Sequence, residues 1–113
     1  MIKCTRINQY RAMWVLVAFD LPTETKKDTR NYRKFVDVLE KDGFARFQFS
    51  IFIRHCPSLE NAKIHSKRVK INLPPKGKVG IVQITDRQFG LMEVFSSAKK
   101  DEIPAPTQQL ELF

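Results

Sequence analysis

One stretch constrains the fold more than any other: Met13 to Pro22, MWVLVAFDLP. From Trp14 to Asp20 the only charge is the last residue. A run this apolar and this short, closed by a proline, predicts a strand rather than a helix. Alternation puts Trp14, Leu16 and Ala18 on one side, and Val15, Val17 and Phe19 on the other. Both faces are apolar, so the sheet needs helices on one side and a second layer on the other. Asp20 shares a face with Ala18 and sits where the strand leaves the sheet. Pro22, which cannot donate to a ladder, turns the chain there. The carboxylate has two readings: it stops the strand and caps the turn, or it marks a position where chemistry is built.

Charge narrows the partners. The chain has 113 residues, enough for one small core, and carries 20 Lys and Arg against 12 Asp and Glu, a formal net charge of +8. A pI near 9.8 favours a polyanionic partner. A membrane surface would also satisfy the charge, but no apolar run approaches the ~20 residues of a spanning helix. Met1 to Ala12 holds Lys3, Arg6 and Arg11 and no apolar h-region, so no secretory signal is expected. Cys4 and Cys56 fit no CxxC or zinc spacing. Reduced thiols and a cytoplasmic location are the expectation.

Residues 1–12 read as a polar N-terminal arm. After the strand, TKKD from Thr25 to Asp28 has the form of a capping box, with Asp in place of Glu. Tyr32, Phe35, Val36 and Leu39 follow at i, i+3, i+4 and i+7, and Gly43 suits a C′ position, which predicts a helix from about Lys26 to Asp42. Its first half is crowded with Lys26, Lys27, Arg30, Arg33 and Lys34; Lys26, Arg30 and Arg33 are candidate nucleic-acid contacts, because a guanidinium can grip phosphate bidentately. FARFQFSIFIRHC, Phe44 to Cys56, has a period near 2 and is long for one strand, so a hairpin inside it is plausible although no glycine marks the turn. Its phenylalanines are expected in the core rather than as base-stacking platforms, and Arg46 and Arg54 could face a ligand.

Ser58 is a good N-cap for a second helix, Leu59 to about Asn72, with Leu59, Ala62, Val69 and Leu73 as a weak buried stripe. Lys63, Lys67, Arg68, Lys70, Lys76 and Lys78 follow with no acid among them; Lys67, Arg68 and Lys70 form the second candidate nucleic-acid cluster. Val79 to Thr85 predicts another strand, Asp86 to Gly90 a loop, and Met92 to Phe95 a short last strand. The order is that of a ferredoxin-like βαββαβ α+β sandwich with an extra C-terminal edge strand, spanning residues 1–98 and followed by a flexible tail, 99–113. The sheet face away from the helices remains apolar, which a second copy would cover economically; a homodimer is expected.

No Ser-His-Asp arrangement, P-loop, GxGxxG or HExxH is present, and His55 and His65 read as surface residues without ligand spacing. Asp20 remains as the candidate catalytic and metal-binding residue. Mg²⁺ keeps several waters but still expects one or two carboxylates. Two copies of Asp20 meeting at a two-fold axis would supply them to one ion, able to activate water against a phosphodiester.

VLVAFDLP, the basic helix with Arg30 and Arg33, and DGFARFQFSIFIRH together resemble the small CRISPR-associated Cas2 family, most of all the version that accompanies Cas9-type effectors. The resemblance runs from about Tyr10 to Phe95 and is most specific at Asp20 and Gln48 to Phe52. It implies a ferredoxin-like homodimer that bridges dimers of the Cas1 integrase and holds duplex prespacer DNA during spacer acquisition. It also implies metal-dependent nuclease activity on RNA or DNA with Asp20 as ligand, activity that the integration role does not require. A stand-alone endoribonuclease or DNase, and an RNA-binding module of the same fold, are the alternatives; ARFQFSIF lacks the glycine of the aromatic RNA-recognition pattern. In the tail, IPAP precedes Leu110, Leu112 and Phe113, a stiff spacer with an apolar hook. That hook could dock on the integrase by adding a strand, insert into the sliding clamp, which binds peptides similar to QLELF, or stay disordered as chain ends usually do.

Overall fold

A computed structural model describes residues 12–103. The candidate tail residues Leu110, Leu112 and Phe113, and nearly all of the N-terminal arm, lie outside them.

The central strand β1 spans Met13–Asp20. Helix α1, Lys26–Lys41, starts at the capping box foreseen in the sequence: Thr25 Oγ1 accepts from the Asp28 amide at 3.0 Å, and Asp28 Oδ2 accepts from the Thr25 amide at 3.3 Å. It ends at Asp42 and Gly43, where φ of +89° is glycine territory. Phe44 to Cys56 splits into a hairpin, β2 Ala45–Gln48 and β3 Ile51–Cys56, turning at Phe49 and Ser50. Helix α2, Leu59–Ile71, is capped by Ser58 Oγ, which accepts from the Asn61 amide. Strand β4 spans Lys78–Thr85. The four strands form one antiparallel sheet in the order β2-β3-β1-β4, the ferredoxin-like α+β arrangement.

Both faces of β1 are used as the alternation requires. Val15, Val17 and Phe19 pack under the helices with Phe35, Val36, Leu39, Phe44, Phe52, Ala62 and Val69. Burying each large apolar side chain here contributes about 1.5–3 kcal/mol. On the opposite face Trp14 and Ile53 pack with Phe89, and Leu16, Phe47, Ile84, Met92 and Ile103 flank them. The Trp14 and Phe89 rings stack at 4.0 Å, and Trp14 Nε1 donates to Asp86 Oδ1 at 2.6 Å.

That second layer departs from the sequence reading. Asp86–Gly90 is a short helix, α3, rather than a loop: Thr85 and Gln88 form a reciprocal capping box, and Phe89 needs the helical turn to reach Trp14. The short strand expected over Met92 to Phe95 is β5, Val94–Ser96; it pairs with β6, Lys99–Asp101, in a separate hairpin and not with an edge of the main sheet. Ser97 and Ala98 turn that hairpin at φ of 52° and 65° without glycine, so no turn residue announces it. Helix α2 also sits differently. Leu59 and Leu73 are exposed, while Ala62, His65, Ser66 and Val69 face inward, because polar contacts seat this helix: Gln83 Nε2 donates to Ser66 Oγ at 2.8 Å, and His65 Nδ1 lies 2.7 Å from Asp42 Oδ2. His65 is therefore buried, and His55 is half-buried against Trp14 at 5.1 Å; neither is a surface residue.

Candidate functional site

Asp20 is exposed at the end of β1, opposite Lys78 of β4. Three backbone segments converge around it. The Phe19 amide donates to the Ser50 carbonyl at 3.0 Å, which fastens the β2–β3 hairpin tip beside the strand exit. From the other side comes Gly77, at φ +95°; a Cβ there would lie 2.6 Å from the Asp20 carbonyl oxygen and 3.0 Å from Leu21 Cα. Only glycine allows both that conformation and that approach. Asp20 thus projects from a backbone held on both sides.

It also lies on the open half of the second sheet face. The α3 layer covers the Trp14 end, whereas towards Asp20 the same face carries Leu16, Ala18, Ile51, Gly80 and Val82; Gly80 and Val82 are exposed. Among the described residues no group of three or more His, Cys, Asp or Glu side chains could hold a metal ion. Asp20 is the carboxylate at this strand exit, and Mg²⁺ keeps several waters while taking one or two carboxylates.

The basic candidates form two separate surfaces. Lys26, Arg30 and Arg33 are exposed along α1 at i, i+4 and i+7, and with Thr25, Thr29 and Glu24 they line an open groove. On α2, Lys67 and Lys70 are exposed, but Arg68 is not the uncompensated charge its sequence neighbours imply: Arg68 NH1 lies 2.7 Å from Asp42 Oδ1. Asp42 so receives both His65 and Arg68. Burial alone would raise its pKa; the hydrogen bonds from His65 and Arg68 outweigh that and hold the carboxyl below its ordinary value. Arg46 and Arg54 each lie against a neighbouring backbone segment. Arg46 donates to the Phe49 carbonyl at 2.9 Å, and the Arg54 guanidinium lies over Gly43, where a Cβ would come within 2.6 Å of NH1.

Two other reactive side chains are set aside by their surroundings. Burial pushes the Cys56 thiol up to about 11, so it stays protonated at neutral pH and is no nucleophile. Burial lowers the His55 pKa; Asp86 pulls the other way, and Arg54 lowers it further. The residues that place Asp20 were not singled out as site residues in the sequence, although Gly77 in the turn PPKGK was visible there. Phe49, expected in the core, is 75% exposed.

An exposed carboxylate at the exit of the central strand, on a βαββαβ domain with two basic helices, places the chain among small ferredoxin-like α+β proteins. The family profile described as CRISPR associated protein Cas2 matches residues 13–92, from β1 through α3. The chain is 56% identical over 109 residues to the CRISPR-associated endoribonuclease Cas2 of Flavobacterium psychrophilum, covering 96% of this chain and 95% of that one. It is 43% identical over 101 residues to the protein of that name from Parvibaculum lavamentivorans, covering 89% and 100%, and 34% identical over 91 residues to that from Lacticaseibacillus rhamnosus, covering 80% and 90%. The chain belongs to the Cas2 family.

Proposed function

We propose that the chain acts in CRISPR spacer acquisition as a homodimer that bridges dimers of the Cas1 integrase and holds a duplex prespacer on its basic helices. The observation that carries this reading is the pairing of an open apolar half-face with exposed basic side chains on α1 and α2: one surface suits a second copy, the others suit phosphate. A purified-protein pull-down with the integrase, with and without duplex DNA, tests it. Capture that increases with duplex is the expected result; no capture in either arm removes the scaffold role.

A second activity is favoured by the exposure of Asp20 and by the endoribonuclease name its relatives carry. In a dimer whose axis passes near the ends of β1, the Asp20 carboxylates of both copies would hold one Mg²⁺. The bound ion would supply Lewis acidity and a water of lowered pKa for attack on a phosphodiester of RNA or DNA. The protein's own contribution is positional. Gly77 and the Ser50 carbonyl fix the backbone on either side of Asp20, and Lys78, opposite in the register, is placed to offset phosphate charge.

A further inference from the structure

Phe49 is anomalous for a residue in so apolar a strand region, at 75% exposure in the two-residue turn between β2 and β3. Its ring is nevertheless not loose. On one side it stacks on Tyr32, with centroids 6.2 Å apart and planes at 28°, and Tyr32 in turn meets the edge of buried Phe19 at 5.9 Å. Three aromatic rings therefore run from core to surface, and Phe49 is the outermost. Its backbone is held too: Arg46 donates to the Phe49 carbonyl at 2.9 Å while its guanidinium lies 5.5 Å from the Phe49 centroid and 5.0 Å from that of Phe52. A phenyl ring stacked on Tyr32, three-quarters exposed and accompanied by a guanidinium has the features that receive a nucleobase. A base can stack on the exposed part of the ring while the cation meets the adjoining phosphate. The Ser50 carbonyl next to Phe49 is the group that accepts from the Phe19 amide, so this ring stands at the same sheet end as Asp20.

We infer that Phe49, braced by Tyr32 and Arg46, is a stacking platform for an unpaired nucleobase, which places a single-stranded segment or a splayed duplex end beside Asp20. The inference rests on the nucleic-acid reading above and adds the strand state of what is bound there. A bare aromatic ring cannot stack on a base already paired and stacked within a duplex, so the platform selects unpaired nucleotides.

The test is binding in metal-free buffer, with ribo- and deoxyribo-oligonucleotides carrying 2-aminopurine, each as a single strand and as a blunt duplex. Phe49→Ala should weaken single-strand binding about tenfold and abolish the stacking quench of 2-aminopurine, while duplex affinity stays unchanged. Phe49→Trp should keep both. Retention of affinity and quench in Phe49→Ala overturns the platform alone. A change in sedimentation mass of Phe49→Ala also overturns it, by showing the ring buried between copies. Absence of binding to any oligonucleotide by the unsubstituted protein removes the nucleic-acid reading together with the platform.

Discussion

Gly77→Ala isolates what the turn before β4 does for Asp20. Alanine at φ +95° carries a left-handed backbone penalty of about 1–2 kcal/mol. Its Cβ would also lie 2.6 Å from the Asp20 carbonyl oxygen and 3.0 Å from Leu21 Cα. Both are backbone atoms, so relief requires the β1 exit or the turn itself to move, at about 1–3 kcal/mol as for overpacking elsewhere. Together the loss is about 2–5 kcal/mol, a large part of a small domain's stability. Gly43→Ala provides the matched control. Its φ of +89° imposes the same backbone penalty, but the nearest atom is Arg54 NH1, the end of a flexible side chain that can swing away. Gly90→Ala, with nothing within 4 Å, and Gly80→Ala, 3.8 Å from the Ala18 carbonyl, should cost little by overlap. Urea unfolding of the four variants should rank Gly77 as most damaging, then Gly43, with Gly80 and Gly90 near the unsubstituted protein. Cleavage per folded molecule should fall only for Gly77→Ala, because only there is the Asp20 backbone displaced. A Gly77→Ala protein as stable as Gly90→Ala would refute the convergence of backbone around Asp20.

Three further outcomes follow from the same geometry. Reversing Arg30 and Arg33 to Glu should weaken duplex binding and flatten its salt dependence by ~0.9 in slope for each phosphate that the protein no longer neutralises; the parallel change at Lys67 and Lys70 reads the second surface, and unchanged slopes in both would remove the charge basis. Because burial lowers the His55 pKa, the unfolded chain binds a proton below about 6.5 that the folded chain refuses, so stability should fall as pH drops below that value, by at most about 1.4 kcal/mol per unit. His55→Gln should remove that part of the slope in denaturant titrations at stepped pH, and an identical slope would show that His55 charges freely. Asp42, held low by His65 and Arg68, should keep its contribution above about pH 3.8 and lose it only as pH falls through its folded value, so Asp42→Ala should destabilise at neutral pH but converge with the unsubstituted protein in acid.

Much of the fold was legible because several signals agreed on each element. β1 was apolar on both faces and closed by Pro22; α1 had its capping box, its apolar stripe and Gly43. Elements held together by single contacts were not legible. The β2–β3 turn uses Phe49 and Ser50, and the β5–β6 turn uses Ser97 and Ala98, neither pair containing the Gly, Asn or Asp that marks a two-residue hairpin turn. Helix α2 is seated through His65 and Ser66, whose partners Asp42 and Gln83 lie 23 and 17 residues away, so an apolar stripe was the wrong signal to seek. Helix α3 did leave a trace, the Thr85-to-Gln88 capping box, but five residues are too short for periodicity to show. At the site, Asp20 stood out as a lone charge ending an apolar run. The exposure of Phe49 did not, since alternation assigns a face and cannot tell which ring the hairpin tip pushes into solvent.

Whether two copies of Asp20 act on one ion in a dimer is tested most directly by mixing. Unsubstituted and Asp20→Ala chains are unfolded together, refolded at varied ratios, and assayed for Mg²⁺-dependent cleavage of RNA and DNA. If both carboxylates serve one site, only dimers with two intact chains cleave, and activity falls as the square of the intact fraction, to about a quarter at an equal mixture. A linear decline would show each Asp20 acting alone, and equal cleavage by pure Asp20→Ala, or none by the unsubstituted protein, would contradict the assignment altogether.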